Sequence, residues 1–288
     1  MRHQAEALTV EGIAIDRACV FTSGELVTEE TRRFCGGLLN LYSVRSPDKV
    51  SANEDGAALL PFSPTAGVLA IADGVGGLPS GERASALALN ALQRSLEEGA
   101  AAGLRLREAI LNGFEAANRA VNSETSGAAT TLAAVAIQDG LVRPYHVGDC
   151  EVVVTGQRGK IKLQTVSHSP VGYAVESGLL DEHEAMHHEE RHIVSNLIGC
   201  PGMRIEIGPA IGLARHDTLI LGSDGLFDNL RTEEIVETVR KGPLAAASAS
   251  LARDCRRRME QESEHHPSKP DDLTFILYRL DLHKSPTD

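Results

Sequence analysis

Four short acidic segments carry the side chains in this sequence that could bind a metal ion. In the first, an apolar run from Val68 to Ala72 ends in Asp73 and is followed at once by Gly74. A carboxylate supplies negative charge, and a glycine can bring its carbonyl oxygen close to a cation because it has no side chain. The other three segments are Asn53-Glu54-Asp55, the run Gly222 to Asn229 with its acids Asp224 and Asp228, and Asp271-Asp272.

Two of these segments adjoin predicted strands. Asp224 follows the apolar run Thr218 to Leu221, and Asp271 precedes the run Phe275 to Tyr278. Strand ends can converge on one edge of a sheet, so carboxylates that are distant in sequence can share one site. Taken singly, an Asp-Gly pair usually forms a turn, but several such pairs after apolar runs favour a cleft that binds a hard cation.

The composition restricts the partners of this chain. Its 288 residues suit one large domain or two small ones, and with 3% aromatic residues and no Trp the core must be aliphatic. There are 28 basic and 40 acidic residues, which gives a net charge of −12. No basic stripe is available for a nucleic-acid backbone, so we expect no nucleic-acid partner. A phosphate-bearing substrate would need metal ions to reverse the local field.

The cysteines and the hydropathy pattern predict a cytoplasmic protein. The five cysteines are odd in number and form no Cys-x-x-Cys pair, which is typical of a reducing compartment. No apolar run approaches the ~18 residues that a membrane span needs, and no secretory leader is recognisable. We therefore expect neither secretion nor a membrane partner.

The periodicity of the chain predicts a mixed fold. Helices are expected from Ser80 to about Glu98 and from about Leu106 to Val121, the second with a buried stripe of Ile110, Phe114, Ala117 and Val121. A short helix is expected between Val27 and Phe34, ended by Cys35-Gly36-Gly37. Asp139-Gly140 indicates a β-hairpin. Residues 167–203 look irregular, with one helix near Asp181 to Glu189, and are predicted to form a flap over a site. Strands joined by hairpins, with helices between the sheet blocks, indicate an α+β fold with antiparallel sheets.

Six motifs resemble, in order, those of the protein phosphatase 2C-like family of metal-dependent (PPM) phosphatases. They are NED (53–55), ADGVGG (72–77), GAATTL (127–132), HVGDC (146–150), GSDGLFDNL (222–230) and DDLTFI (271–276). The resemblance implies a β-sandwich of two antiparallel sheets flanked by α-helices, a four-layer αββα arrangement. It also implies a catalytic domain over residues 38–288, on which residues 1–37 would pack as an N-terminal segment.

The same resemblance implies two Mg²⁺ or Mn²⁺ ions in a cleft at one end of the sandwich. Asp73 matches the ligand that bridges both ions, and the carbonyl of Gly74 matches a ligand of one ion. Asp224 and Asp271 match ligands of the other ion, while Asp55 would bind through water. Two ions ~3.5–4 Å apart can activate a bridging water and neutralise phosphoryl oxygens.

Further residues are implied to lie around the two ions. Glu54 is similar to an outer-shell acid, and Asp149 and Asp228 match a third, weaker metal site of bacterial-type members. The family usually has an Arg that grips the substrate phosphate where this chain has Val50. Lys49 is the neighbouring cation, and we predict that it binds the phosphate instead.

The resemblance implies a Mg²⁺/Mn²⁺-dependent phosphatase that removes phosphate from phosphoserine and phosphothreonine of proteins by attack of a metal-activated water. The alternatives are a phosphatase of another phosphomonoester and a catalytically silent module of the same fold that binds a partner. A dinucleotide site is rejected because Pro79 stands at the third glycine position. Four histidines could suggest zinc, although a solvated helix face is the commoner structure for such a stretch: His183, His187, His188 and His192.

Overall fold

The computed structural model of the chain describes residues 14–27, 30–75, 80–124, 127–186, 188–261 and 266–281. The strands in these residues are β1 (Cys19–Thr22), β2 (Leu26–Val27), β3 (Arg32–Phe34), β4 (Gly37–Val44), β5 (Asp55–Ser63), β6 (Ala66–Asp73), β7 (Leu132–Gln138), β8 (Leu141–Val147), β9 (Glu151–Thr155), β10 (Ile161–Gln164), β11 (Glu206–Ile207), β12 (Ile211–Gly212), β13 (Thr218–Gly222) and β14 (Leu273–Leu280). The helices are α1 (Gly81–Ala101), α2 (Leu106–Glu124), α3 (Pro170–Glu176), α4 (Glu182–Met186), α5 (Asp224–Phe227), α6 (Thr232–Val239) and α7 (Leu244–Glu260).

The strands form two antiparallel sheets. Sheet I has the order β1-β5-β6-β7-β8-β11, and β12 also pairs with β8. Sheet II has the order β10-β9-β13-β14-β4-β2, and β3 also pairs with β4. β5-β6 and β7-β8 pair through short turns, the second at the predicted Asp139-Gly140 hairpin, whereas β6 and β7 pair across the long connection that contains α1 and α2.

Both faces of sheet I are buried, and the side chains of its strands point alternately to one face and the other. In β6, Leu69 and Ile71 point into the core between the two sheets, whereas Val68, Ala70 and Ala72 point to the helices. Successive side chains of a strand face opposite sides of a sheet, so a continuous apolar run marks a strand that is covered on both faces.

The helices form the two outer layers. In α2 the predicted stripe of Ile110, Phe114, Ala117 and Val121 is fully buried against sheet I together with α1, because the spacing of 3 and 4 residues keeps the four side chains on one face. On the outer face of sheet II, α6 and α7 supply the buried side chains. The layers are therefore helix, sheet, sheet, helix, and the predicted fold is confirmed.

The N-terminal strands β1, β2 and β3 are divided between the two sheets. β1 pairs with β5 of sheet I, and β2 and β3 pair with β4 of sheet II. The predicted short helix between Val27 and Phe34 is wrong. Cys35 and Gly36 both have positive φ, 43° and 76°, and such a turn joins two strands in register rather than ending a helix.

Residues 167–203 contain α3, α4 and a 3₁₀ turn at Glu189–His192. The Ser169 hydroxyl accepts a hydrogen bond from the Gly172 N–H at 2.9 Å and so caps α3. His188 caps the 3₁₀ turn, since its Nδ1 accepts from the Glu190 N–H at 3.1 Å. His187 and the side chain of His183 lie outside the described residues. No helix in the described ranges is both long and apolar enough to cross a bilayer.

Candidate metal centre

The acidic residues meet where the two sheets end side by side. Asp55 is the first residue of β5 and Asp73 the last of β6, and the two are cross-strand partners in sheet I. Asp224 begins α5 directly after β13, and Asp271 lies just before β14, both in sheet II. Burial, followed by negative charge on Asp55, Asp224 and Asp271, raises the pKa of Asp73, so these four carboxylates lie within electrostatic reach of one another.

Two threonines hold the main chain of Asp73. Its N–H donates to Thr131 Oγ1 at 2.9 Å, and its carbonyl oxygen accepts from Thr130 Oγ1 at 2.7 Å and from the Thr131 N–H at 2.8 Å. Both threonines belong to the motif of small residues before β7. The backbone is therefore fixed by neutral groups, and the Asp73 carboxylate is left for other partners.

Two glycines permit close backbone approaches at the site. A Cβ on Gly74 would lie 2.3 Å from the carbonyl oxygen of Gly81 at the start of α1. A Cβ on Gly225 would lie 2.0 Å from the carbonyl oxygen of Asp272. Glycine after Asp224 is thus what lets α5 pack against the segment that carries Asp271.

Asp55 joins the two sheets. It is buried, and its Oδ2 accepts a hydrogen bond from the Ser223 hydroxyl of sheet II at 2.8 Å. Its main-chain N–H donates to Asn53 Oδ1 at 3.0 Å. The sequence did not single out Ser223, although that residue lies in the segment with Asp224.

Four buried carboxylate oxygens have no hydrogen-bond partner in the described part of the chain: Oδ1 of Asp55, of Asp149 and of Asp224, and Oδ2 of Asp228, which forms an ion pair with the Lys269 ammonium at 2.8 Å. Burial, followed by neighbouring carboxylates, raises the pKa of Asp149 to about 8 and that of Asp271 to about 7. The same causes raise the pKa of Asp55 and Asp73 well above the usual range. Buried, unpartnered and mutually repelling carboxylates fit divalent cations, which satisfy the oxygens and remove the repulsion.

Lys269 is a charged residue of the cleft that sequence reasoning missed. Its ammonium hydrogen-bonds to Asp224 Oδ2 and lies 2.8 Å from Asp228 Oδ2 and 3.3 Å from Asp271 Oδ2. The three carboxylates outweigh the effect of burial and raise the pKa of Lys269, so it is charged at neutral pH. Its position two residues before Asp271 was the available signal.

The two residues assigned to a third ion come from different parts of the fold. Asp149 lies in the turn between β8 and β9, and Asp228 follows α5. Negative charge on Asp228 contributes to the raised pKa of Asp149, while Lys269 acts in the opposite direction. The structure therefore brings both residues to the cleft that holds Asp224.

Lys49 lies beside the cleft in a pair of ion pairs. Its Nζ is 2.5 Å from Glu54 Oε2 and 2.6 Å from Asp272 Oδ2. Asp272 is buried, and its oxygens also accept from the main-chain N–H groups of Ser46 and Glu54. A substrate phosphate would have to share the Lys49 ammonium with two carboxylates, and its role in phosphate binding stays a prediction.

A cavity of about 280 Å³ adjoins the cleft. Asp149 and Asp228 line one side, and Val171 of α3 lines another. The cations Arg191 and Arg231 also line it. Arg231 Nε is buried and donates to no acceptor among the described residues.

His146, His168 and Glu206 form a second group of side chains of metal-binding type. His168 Nδ1 accepts from the Gly148 N–H at 3.1 Å, and a backbone N–H can only donate. His168 Nε2 therefore carries the proton and donates to Glu206 Oε2 at 3.0 Å. That nitrogen has no lone pair for an ion, and the group is a set of hydrogen-bonded side chains at the start of residues 167–203.

The family model and the known proteins named below are all described as phosphatases. A family model described as protein phosphatase 2C matches residues 50–271. Protein phosphatase PhpP of Streptococcus pneumoniae is 30% identical over 197 residues, which cover 65% of this chain and 78% of that protein. The solved structure of the Mycobacterium tuberculosis serine/threonine phosphatase PstP/Ppp has a TM-score of 0.69 at 24% identity, over 84% of this chain and 98% of that chain. The catalytic domain of PstP in complex with two manganese ions has a TM-score of 0.66 at 22% identity, over 84% and 96% of the two chains.

Proposed function

Because this chain belongs to the protein phosphatase 2C family, it is a protein serine/threonine phosphatase, and we propose that it works with two divalent ions, Mg²⁺ or Mn²⁺. The observation that carries the proposal is the set of buried, unpartnered carboxylate oxygens of Asp55, Asp149 and Asp224 in one cleft. A structural relative of the same fold was solved with two manganese ions, which supports the choice of metal.

The ligands in this proposal are those that the sequence predicted. Asp73 would be shared by both ions, Gly74 through its carbonyl and Asp55 through water would help to hold one of them, and Asp224 and Asp271 would hold the other. When bound, the ions activate a water as the nucleophile and neutralise charge on the phosphoryl group. Glu54 lies outside this shell, where it pairs with Lys49.

The residues of the chain itself orient the ligands. Thr130 and Thr131 fix the backbone of Asp73, and Ser223 holds one oxygen of Asp55, so the carboxylates are in place before the ions bind. A preorganised site of this kind loses little energy to reorganisation during the reaction. We propose that the third ion expected at Asp149 and Asp228 is at most weakly held.

The substrate in this proposal is a phosphorylated protein. The cavity beside the cleft would accept the peptide that flanks the phosphoresidue, and Arg191 and Arg231 would face its negative charge. Localisation in the cytoplasm, with no nucleic-acid or membrane partner, remains part of the proposal. A phosphatase of another small phosphomonoester is the second candidate, because the cleft chemistry does not depend on the peptide.

The test is hydrolysis of a phosphothreonine peptide with Mn²⁺, with Mg²⁺ and with excess chelator. We expect turnover to need the metal, and Asp73→Asn and Asp224→Asn each to lower it by at least ~100-fold, because each removes a charged ligand. Asp139→Asn is the matched control, since the same chemical change falls in the turn between β7 and β8. Full activity in chelator would contradict metal dependence, and absence of turnover under every condition would favour the silent module.

A further inference from the structure

We propose that the ammonium of Lys269 is a built-in cation of the acidic cleft, which takes the place of a third divalent ion beside Asp228 and leaves room for two ions. This role rests on the metal centre proposed above. In this role Lys269 supplies a positive charge that a metal ion bound from solution would otherwise supply.

The ammonium of Lys269 contacts three carboxylates at once. Nζ donates a hydrogen bond to Asp224 Oδ2 and forms ion pairs with Oδ2 of Asp228 at 2.8 Å and of Asp271 at 3.3 Å. The side chain is only 21% exposed. A buried ammonium is costly without opposite charge, and here three carboxylates surround it.

The backbone of Lys269 is clamped to the segment that carries the acids. Its N–H donates to Asn229 Oδ1 at 2.9 Å, and its carbonyl oxygen accepts from Asn229 Nδ2 at 2.9 Å. Asn229 is fully buried and also donates to the Gly225 carbonyl oxygen. Asn229 follows Asp228 directly, so this clamp sets the distance from the lysine to Asp228, and the contact is not that of a freely moving surface side chain.

Lys269 leaves carboxylate oxygens of the cleft without a hydrogen-bond partner. It contacts Oδ2 of Asp224, while Oδ1 of Asp224 and Oδ1 of Asp55 have no partner among the described residues. A carboxylate accepts at about four lone-pair sites, so Asp224 can contact the lysine and an ion at once. The outer acid, Asp228, has the lysine as its cation.

Metal content after equilibrium dialysis against Mn²⁺ tests the role directly. We expect two ions per chain in the wild type and three in Lys269→Met, because the variant leaves Asp228 and its neighbours uncompensated. Lys162→Met is the matched control: Lys162 forms a comparable ion pair with Asp217 at 2.6 Å, remote from the cleft, and its variant should bind two ions.

Thermal unfolding supplies a readout that does not depend on turnover. In chelator, Lys269→Met should have a lower melting temperature than the wild type. Mn²⁺ should raise the melting temperature of the variant by more than it raises that of the wild type. The double variant Lys269→Met/Asp228→Asn should return to two ions and recover most of the melting temperature. It keeps the test available if the single variant does not fold without metal.

The outcomes separate the two proposals. Three ions in the wild type, or two in both the wild type and Lys269→Met, would overturn the role of Lys269 and leave the metal centre intact. No bound ion in the wild type would overturn the metal centre itself.

Discussion

At the scale of single residues, neutral side chains position the charged ones. The Ser223 hydroxyl donates to Asp55 Oδ2 over 2.8 Å, and that hydrogen bond links sheet II to sheet I. Thr131 Oγ1 likewise accepts from the main chain of Asp73. Partners of this kind orient a ligand without competing for the metal, because they carry no charge.

Ser223→Ala should weaken metal binding without removing a ligand. Asp55 would lose its hydrogen bond, and loss of such an orienting partner typically costs 10–100-fold in metal affinity. We expect the Mn²⁺ concentration for half-maximal activity to rise by about tenfold, measured by titration. Ser248→Ala, in a buried serine of α7 away from the cleft, is the control and should leave it unchanged.

Two cations compete for the role of phosphate contact. The prediction from sequence is that Lys49→Ala raises KM for a phosphopeptide several-fold, and steady-state kinetics with Arg231→Ala in parallel measure it. Lys49 is already paired with Asp272, so its loss should also lower the melting temperature. A lower melting temperature with unchanged KM for Lys49→Ala, and a raised KM for Arg231→Ala, would transfer the role to Arg231.

At the scale of elements, the cleft depends on how closely α5 packs on the segment before β14. The Asn229 amide bonds the Gly225 and Lys269 carbonyl oxygens, and the Ser223 N–H donates to the Thr274 carbonyl oxygen at 2.9 Å. These contacts keep the start of α5 beside Asp271. Asp224 and Asp271, the two residues proposed to bind one ion, are therefore held together by this packing.

Gly225→Ala should separate that unit. The added Cβ would lie 2.0 Å from the Asp272 carbonyl oxygen, so the backbone must shift, and such overpacking costs ~1–3 kcal/mol of unfolding free energy. We expect lower stability in urea and weaker Mn²⁺ binding together. Gly212→Ala is the control, because its Cβ would meet only Leu141 Cδ2, at 3.9 Å. Normal metal affinity in Gly225→Ala would contradict the account.

At the scale of the whole molecule, we expect the acidic cleft to make stability depend on metal and pH. Without ions, burial and mutual repulsion hold the pKa of Asp149 at about 8 and that of Asp271 at about 7. The unfolded chain releases these protons near pH 4. The native state therefore binds more protons in between, and the free energy of unfolding falls as pH rises through that window.

We expect the metal-free protein to be less stable at pH 8.5 than at pH 6.5, measured by urea unfolding in chelator. The titration of His146 does not affect the free energy of unfolding in this window. Burial lowers the pKa of His146, so its effect on stability is confined to pH values below about 6.5. Asp149→Asn should flatten the slope, since the amide does not titrate. Saturating Mn²⁺ should reverse the loss at pH 8.5, and equal metal-free stability at both pH values would contradict the raised pKa values.

The sequence by itself determined the parts of this protein that follow from local pattern. The spacing of Ile110, Phe114 and Ala117 predicted the buried face of α2, and acids at the ends of apolar runs predicted a shared cleft. Both are short-range signals, because a helix repeats every 3.6 residues and a strand end needs only its own run. The order of six motifs then predicted the family and the sandwich.

Only the tertiary structure decided the contacts between distant segments. Lys49 and Asp272 are separated by 223 residues, and Ser223 and Asp55 by 168. No periodicity encodes such a pairing, because it depends on where two sheets place their ends. The prediction of a helix before Cys35-Gly36 was wrong for a related reason. The pairing of β3 with β4 identifies a hairpin there, and that pairing is not encoded in the turn residues themselves. The position of Lys269 in the cleft also depends on a long-range contact, because its main chain is hydrogen-bonded to Asn229, 40 residues away in sequence.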